Sequence, residues 1–278
     1  MPTYMGTLTL DEQNTGKTIE EVGAALIAKH LIPEAVTPVK TGKRIVTNKA
    51  VVLENAAHGF VRPNILDVKL GVQLWGNDAP EEKRIRFNKV TSETTHKDLG
   101  FRIAGMRVWQ GHGAKGPDID EEGFKAYNKD YGRFSLHKDN VHEAFQNFIF
   151  SEGAGIDEEL GRLVAQAFLA DVSRVADILE GQESRMYSSS LLFVFEGDGA
   201  ALRAAMEEAS RSPATMVNSD SENSEEDEND FAEPKIYSVK IIDFAHAEWT
   251  PGLGPDKEVI FGVRSIGKIL NDLSRERL

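Results

Sequence analysis

Two short segments place charged residues inside apolar sequence, where they could carry out chemistry. In the first segment, residues 63–71, Asp67 and Lys69 stand two positions apart in an otherwise apolar run. Side chains alternate between the two faces of a strand, so this spacing predicts that both project to the same face. Because burying an unpaired charge is costly, we expect the two residues either to pair or to line a cleft.

The second segment, residues 241–247, ends an apolar run with Asp243 and continues with Phe244, Ala245 and His246. A carboxylate at the rigid end of a strand could hold Mg²⁺ against nucleotide phosphates, an arrangement that phosphoryl transfer needs. Taken alone, each of the two segments is equally compatible with a purely structural role.

A third feature is a run of positive charge at residues 83–89. It contains Lys83, Arg84, Arg86 and Lys89 and no acidic residue. Electrostatic attraction is short-ranged in salt, so an acidic protein that binds a phosphorylated ligand would need a local cationic cluster of this kind. The alternative interpretation is a solvated helix face, and the run by itself does not decide between the two.

The elements that must position these residues follow from hydrophobic periodicity. Helices are predicted at residues 17–31, 139–151, 156–180 and 258–274, and strands at 49–55, 64–71, 101–110, 190–196 and 236–243. Strands and helices do not alternate regularly, which favours an α+β fold over a doubly wound parallel sheet. We expect the last two strands to pair antiparallel, with a long excursion between them.

Composition narrows the class of protein. The chain has 278 residues, a net charge of −13 and no cysteine, which excludes disulfides, thiolate metal sites and cysteine nucleophiles. No apolar run approaches the roughly 20 residues that cross a bilayer, and the first residues do not have the pattern of a secretory signal. The negative charge argues against general nucleic-acid binding.

The glycine pattern at residues 111–116 matches a dinucleotide-binding loop. Residues 117–120, however, do not have the pattern of a helix start, which such a loop requires.

The negative charge is concentrated in residues 220–233, which hold eight acidic residues and no lysine or arginine. Such a segment cannot bury enough apolar area to offset its chain entropy, so we predict a disordered acidic insertion at about residues 208–234. It could be a solvated loop, or it could bind basic partners or be phosphorylated.

Together the segments resemble the inositol polyphosphate kinase family. Residues 63–71 match the P-x-x-x-D-x-K-x-G signature, residues 189–193 are similar to the S-S-L-L-F element, and residues 242–246 are similar to the I-D-F-A-H element, in the family's order. Leu53-Glu54-Asn55 resembles the family's hinge. His246 and the acidic insertion make the chain most like the fungal inositol polyphosphate multikinases.

The resemblance implies a role for each matching residue near the nucleotide. Main-chain groups of Glu54 and Ala56 would bind adenine, and Asp67 would accept hydrogen bonds from the ribose hydroxyls. Asp243 would hold Mg²⁺ on the phosphates of ATP, with Ser190 close to this metal and phosphate site.

On the substrate side, the resemblance implies that Lys69 faces both the transferred phosphoryl group and the inositol. His246 would hydrogen-bond an inositol hydroxyl. The cationic run would bind the phosphates that the substrate already carries, through Lys83, Arg84, Arg86 and Lys89.

The implied architecture has two lobes. Residues 1–55 would be the remainder of a truncated N-terminal lobe with the hinge, because no lysine has the context of the family's nucleotide-binding strand lysine. Residues 56–278 would be the catalytic lobe, an antiparallel sheet packed with helices. The implied protein is an ATP- and Mg²⁺-dependent kinase of the nucleus and cytoplasm. The rival hypothesis is a non-catalytic scaffold that uses its acidic segment to bind basic partners.

Overall fold

The computed structural model describes residues 1–9, 49–211 and 235–275. The chain divides into two compact units, Pro2–Asn55 and Ala56–Leu278. In the smaller unit, the described residues form a two-stranded antiparallel sheet of β1 (Tyr4–Thr9) and β2 (Lys49–Leu53). The helix predicted at residues 17–31 lies outside the described residues. Within the described part of the chain, no helix has the length and apolar character needed to cross a membrane.

The larger unit is built around a five-stranded antiparallel sheet in the order β5-β4-β3-β7-β8, and β6 pairs separately with β9. Its described strands are β3 (Pro63–Leu70), β4 (Phe101–Trp109), β5 (Phe124–Tyr127), β6 (Ser184–Met186), β7 (Ser190–Glu196), β8 (Tyr237–Ile242) and β9 (Ala247–Trp249). Its described α-helices are α1 (Glu81–Ser92), α2 (His96–Leu99), α3 (Val141–Ile149), α4 (Glu158–Glu180), α5 (Gly199–Arg211) and α6 (Lys257–Leu273). A π-helical turn, Tyr131–Ser135, follows β5.

The central strand β3 separates the two faces of this sheet. Its residues alternate strictly between buried and partly exposed positions. Leu66 and Val68 face the core, where they stand opposite Phe193 and Leu191 of β7. The intervening residues Ile65, Asp67 and Lys69 therefore share the other, more open face. One strand thus contributes to the hydrophobic core and to a polar surface.

Long helices cover the core face of the sheet. Helices α4 and α6 pack against each other, and each begins at an aspartate whose carboxylate accepts a hydrogen bond from a first-turn amide, Asp157 from Leu160 and Asp256 from Val259. The apolar stripe of α4 places the Phe168 ring 5.1 Å from that of Phe193. Burying an aromatic ring of this size stabilises the fold by about 2–3 kcal/mol.

The structure confirms the predicted α+β class. It also confirms that the strands predicted at residues 190–196 and 236–243 pair antiparallel, as β7 and β8, with Leu192 opposite Lys240. The prediction that a disordered insertion begins at about residue 208 is wrong for residues 208–211, because these residues form the last turn of α5. Residues 212–234, including the acidic segment, lie outside the described residues.

Sequence periodicity did not predict several elements. The sequence indicates helix α1 only through one of two interpretations of the cationic run, a solvated helix face. It has almost no apolar side, and Thr91 is its one buried residue. Helix α5 starts at a glycine, and β5, β6 and β9 have only three or four residues. Strands of three or four residues carry too few apolar positions for a period to be recognised.

Candidate active site

Lys69 links distant parts of the chain on the open face of the sheet. Its Nζ atom donates a hydrogen bond to the Ser188 carbonyl oxygen at 2.7 Å and lies 3.5 Å from Oδ2 of Asp243. Ser190 stands opposite Lys69 in the register between β3 and β7, and Ile242, the residue before Asp243, stands opposite Ser190. Two adjacent antiparallel pairings therefore bring the first and second sequence segments together.

Both residues that contact the Lys69 ammonium have an unusual backbone. Ser188 and Asp243 have φ angles of 59° and 66°, and they are the only non-glycine residues with positive φ in the described part of the chain. Residues held in this left-handed region concentrate at functional sites, where the surrounding structure compensates for the strain. At Asp243 this conformation follows directly after β8 and leaves the side chain 57% exposed.

Asp67 provides a buried oxygen acceptor beside this pair. Its Oδ1 atom is buried and has no hydrogen-bond partner among the described residues. Burial raises the pKa of the Asp67 carboxyl group, and the Asp243 carboxylate adds to that effect, whereas the Ser190 hydroxyl and the Lys69 ammonium oppose it. The Ser190 hydroxyl oxygen is also buried without a hydrogen bond of normal geometry. Buried polar atoms left in this state point to a ligand that completes them.

The donor set fits a divalent cation that is shared with a nucleotide. No group of three or more histidine, aspartate or glutamate side chains in the described residues forms a metal site by itself. Mg²⁺ does not need such a cage, because it is commonly held by one or two carboxylates together with substrate phosphates and water. Asp243, exposed and next to Lys69, fits that role.

The four cations of α1 differ in their surroundings. The Nζ atom of Lys83 lies 3.3 Å from Nε2 of His246, so the helix approaches the segment that follows Asp243. Arg86 is exposed, and no described carboxylate forms an ion pair with it. Lys89 pairs with Glu93 on the exposed surface at 3.8 Å. The Arg84 guanidinium instead donates to the carbonyl oxygens of Asn77 and Ala79 in the preceding loop.

At the predicted hinge, Glu54 makes hydrogen bonds to Thr3 within the smaller unit. Its amide donates to the Thr3 carbonyl oxygen at 2.9 Å, and its carboxylate accepts from the Thr3 hydroxyl at 2.7 Å. The adenine-binding roles of Glu54 and Ala56 stay predictions.

Two residues near Lys69 were missed by sequence reasoning. Arg102 of β4 stands opposite Lys69 and is buried. Burial lowers its pKa, Arg133 lowers it further, and Asp67 opposes the change. A cation between Phe101 and Ile103 is the same signal that singled out Asp67 and Lys69, so Arg102 could have been found.

His96 lies behind the strand, fully buried, and its Nδ1 atom donates to the Gly71 carbonyl oxygen at 2.7 Å. Burial lowers the pKa of His96 to about 3, and the nearby Arg102 acts in the same direction. His96 is therefore neutral in the folded protein at ordinary pH. Its position in a four-residue helix gave no sequence signal for this environment.

The open face of the sheet thus places a lysine between two carboxylates and beside a cationic helix. These are groups that phosphoryl transfer requires.

Comparison with known proteins supports the same class of enzyme. Residues 50–271 match the family model of inositol polyphosphate kinase. The inositol polyphosphate multikinase of Saccharomyces cerevisiae is 34% identical over 301 residues, covering 96% of this chain and 80% of that protein. Inositol hexakisphosphate kinase 3 of Mus musculus is 30% identical, and the match covers 81% of this chain but only 51% of that protein.

A solved structure gives the same result at the level of the fold. The crystal structure of the inositol phosphate multikinase from S. cerevisiae in complex with ADP and Mn²⁺ matches with a TM-score of 0.65 and 30% identity, covering 98% of this chain and 88% of that chain. The chain belongs to the inositol polyphosphate kinase family. The predicted family, the kinase-like α+β fold and the class of ATP-dependent inositol phosphate kinase are thereby confirmed.

Proposed function

We propose that this chain is a multikinase that transfers the γ-phosphoryl group of ATP to a hydroxyl group of a phosphorylated inositol. The observation that carries the proposal is the contact between Lys69 and Asp243, which lie 174 positions apart in sequence and 3.5 Å apart in space. One relative, from S. cerevisiae, is named a multikinase, and an inositol phosphate multikinase of the same organism was crystallised with ADP and Mn²⁺. We therefore propose ATP with a divalent cation, Mg²⁺ in the cell, as the cofactors.

The residues would act mainly by positioning and by neutralising charge. Asp243 would hold the cation on the nucleotide phosphates, and the cation would supply electrostatic stabilisation of the charge that spreads over the transferred group. Lys69 would add positive charge at the same place. The buried oxygen of Asp67 would accept from the ribose hydroxyls, with Ser190 beside the phosphates.

The substrate would bind where α1 meets the segment after β8. Lys83 and His246 are already in contact there, so a phosphate and a neighbouring hydroxyl of one inositol could be bound together. Arg86 is exposed and offers a guanidinium that can bind a phosphate through two hydrogen bonds. Lys89 would give a weaker contribution, because Glu93 competes for its charge.

The decisive experiment measures phosphate transfer to a panel of inositol phosphates, with the products resolved by position. We expect the wild-type chain to be active and Asp243→Asn or Lys69→Ala to lower kcat by at least about 10²-fold while the fold stays intact. Asp139→Asn, at an exposed position in the loop before α3, is the matched control. Near-normal activity of either site variant would refute the assignment.

Calorimetry with Mg-ATP separates the enzyme from a non-catalytic scaffold. A scaffold predicts no nucleotide binding by this chain, whereas the kinase predicts binding that Asp243→Asn weakens.

We also propose that the acidic residues 220–233 bind basic protein partners and that the protein works in the nucleus and cytoplasm. The support for the partner proposal is compositional, namely eight acidic residues without a lysine or arginine.

A further inference from the structure

Helix α1 approaches the site with little apolar packing, since none of its apolar residues is fully buried and only Phe87 and Val90 are partly buried. Thr91 near its end is its one buried residue, and Ile85 in its middle is 62% exposed. Most helices in proteins are held in place by packing an apolar face, because short helices are marginally stable by themselves. The position of α1 therefore depends largely on polar and aromatic contacts.

Those contacts form a cluster on one side of the helix, which we call the Trp75 clamp and define as Trp75, Arg84 and Asn88. The Arg84 guanidinium lies 4.8 Å from the centre of the Trp75 ring. The indole Nε1 of Trp75 donates to Oδ1 of Asn88 at 2.8 Å. Residues 84 and 88 are one helical turn apart, so both contact the same indole.

The Arg84 side chain has few donors left for a ligand. Its Nε atom donates to the Ala79 carbonyl oxygen at 2.7 Å, and a terminal nitrogen donates to the Asn77 carbonyl oxygen. The guanidinium carbon also lies over the indole ring. The group thus joins α1 to the loop that connects it to β3.

The same loop is tied to the catalytic lysine. The Ser188 hydroxyl donates to the Leu74 carbonyl oxygen at 2.9 Å, and the Ser188 carbonyl oxygen accepts from Lys69 at 2.7 Å. Trp75 follows Leu74 directly. The clamp is therefore connected to Lys69 through Leu74 and Ser188. Lys83 of the clamped helix contacts His246.

We propose that Arg84 is a positioning residue, which together with Trp75 and Asn88 fixes α1 so that Lys83 and Arg86 can bind the phosphates of the substrate. This inference rests on the proposed kinase function. It replaces the expectation that Arg84 binds a substrate phosphate itself. The clamp thereby contributes to the binding of every inositol phosphate substrate and not to the recognition of one particular phosphate.

The kinetic test uses Arg84→Met, Asn88→Ala and the double variant. Arg84→Met should raise KM for every inositol phosphate substrate by about tenfold, with KM for ATP unchanged, because it loses two charge-assisted hydrogen bonds and a cation–π contact. The double variant should be no worse than Arg84→Met, since both changes release the same indole. Combining Arg84→Met with Arg86→Met should give less than the product of the two single effects, because Arg84 acts in part by positioning Arg86, whereas a full product would mean that Arg84 binds the substrate independently. Arg174→Met, on the exposed side of α4, is the matched control.

A second measurement does not depend on activity. In protein labelled with 5-fluorotryptophan, the ¹⁹F resonance of Trp75, assigned with Trp75→Phe, should shift in Arg84→Met and in Asn88→Ala but not in Arg86→Met. An unshifted resonance, or a KM effect confined to substrates that carry one particular phosphate, would overturn the clamp. If the wild-type chain has no kinase activity, the proposed function fails, and the ¹⁹F spectra still test the clamp.

Discussion

The buried His96 predicts a specific dependence of stability on pH. Its pKa is about 3 in the folded protein and about 6.5 when exposed, because burial disfavours the charged ring. Between these values the unfolded chain binds a proton that the folded protein does not, so stability is lost as pH falls below 6.5. From pH 7 to pH 5 the loss assigned to His96 is about 2 kcal/mol, at 1.36 kcal/mol for each pH unit below 6.5. This figure hardly changes for any folded-state pKa below 4.

The assay is equilibrium urea unfolding of wild type and His96→Asn at pH 7 and pH 5, followed by circular dichroism. Asparagine can keep a donor near the Gly71 carbonyl oxygen but does not titrate. The variant should be less stable at pH 7, because the ring is lost from a closed space, yet its stability should fall by about 2 kcal/mol less on acidification. His58→Asn, at an exposed position, is the control. Wild-type pH dependence in His96→Asn, or an equal reduction in the control, would refute the reasoning.

Three further predictions follow from particular contacts. Glu196 is 2% exposed and accepts hydrogen bonds from two backbone amides just ahead of β3. Glu196→Gln should therefore lower the free energy of unfolding by about 1–3 kcal/mol. An unchanged midpoint in urea unfolding would contradict this. A Cβ atom on Gly262 of α6 would lie 2.2 Å from the Gly100 carbonyl oxygen. Gly262→Ala should therefore lower the free energy of unfolding by about 1–3 kcal/mol. Wild-type stability of this variant would show that α6 can move away from Gly100. Deleting residues 220–233 should leave kcat and KM for inositol phosphates unchanged, and a large loss of activity would give the acidic segment a catalytic role.

The sequence predicted the parts of the fold that bury apolar residues at a regular period. Strand β3 alternates because one of its faces enters the core, and the same period places Asp67 and Lys69 on the opposite face. The proximity of Asp243 could be anticipated only through the resemblance, since it depends on the pairing of β3, β7 and β8 across the chain.

The surroundings of α1 could not be predicted in this way. A cationic run looks the same in sequence whether its members bind a ligand or a neighbouring loop. Arg84 differs from Arg86 only because Trp75 and two loop carbonyl oxygens lie within its reach in the folded chain. The low pKa of His96 likewise arises from burial by distant segments.

The path of the chain between β7 and β8 has a consequence for engineering. The chain leaves the sheet at Glu196 and re-enters it at Tyr237. Tyr237 pairs with Phe195, the residue before Glu196, so the connection starts and ends at the same end of two neighbouring strands. Asp243 lies beyond the opposite end of β8. Doubling the length of such a connection costs only about 0.6 kcal/mol in closure entropy. A reporter domain inserted among residues 212–234 should therefore leave the register of the strands, and with it the position of Asp243, in place.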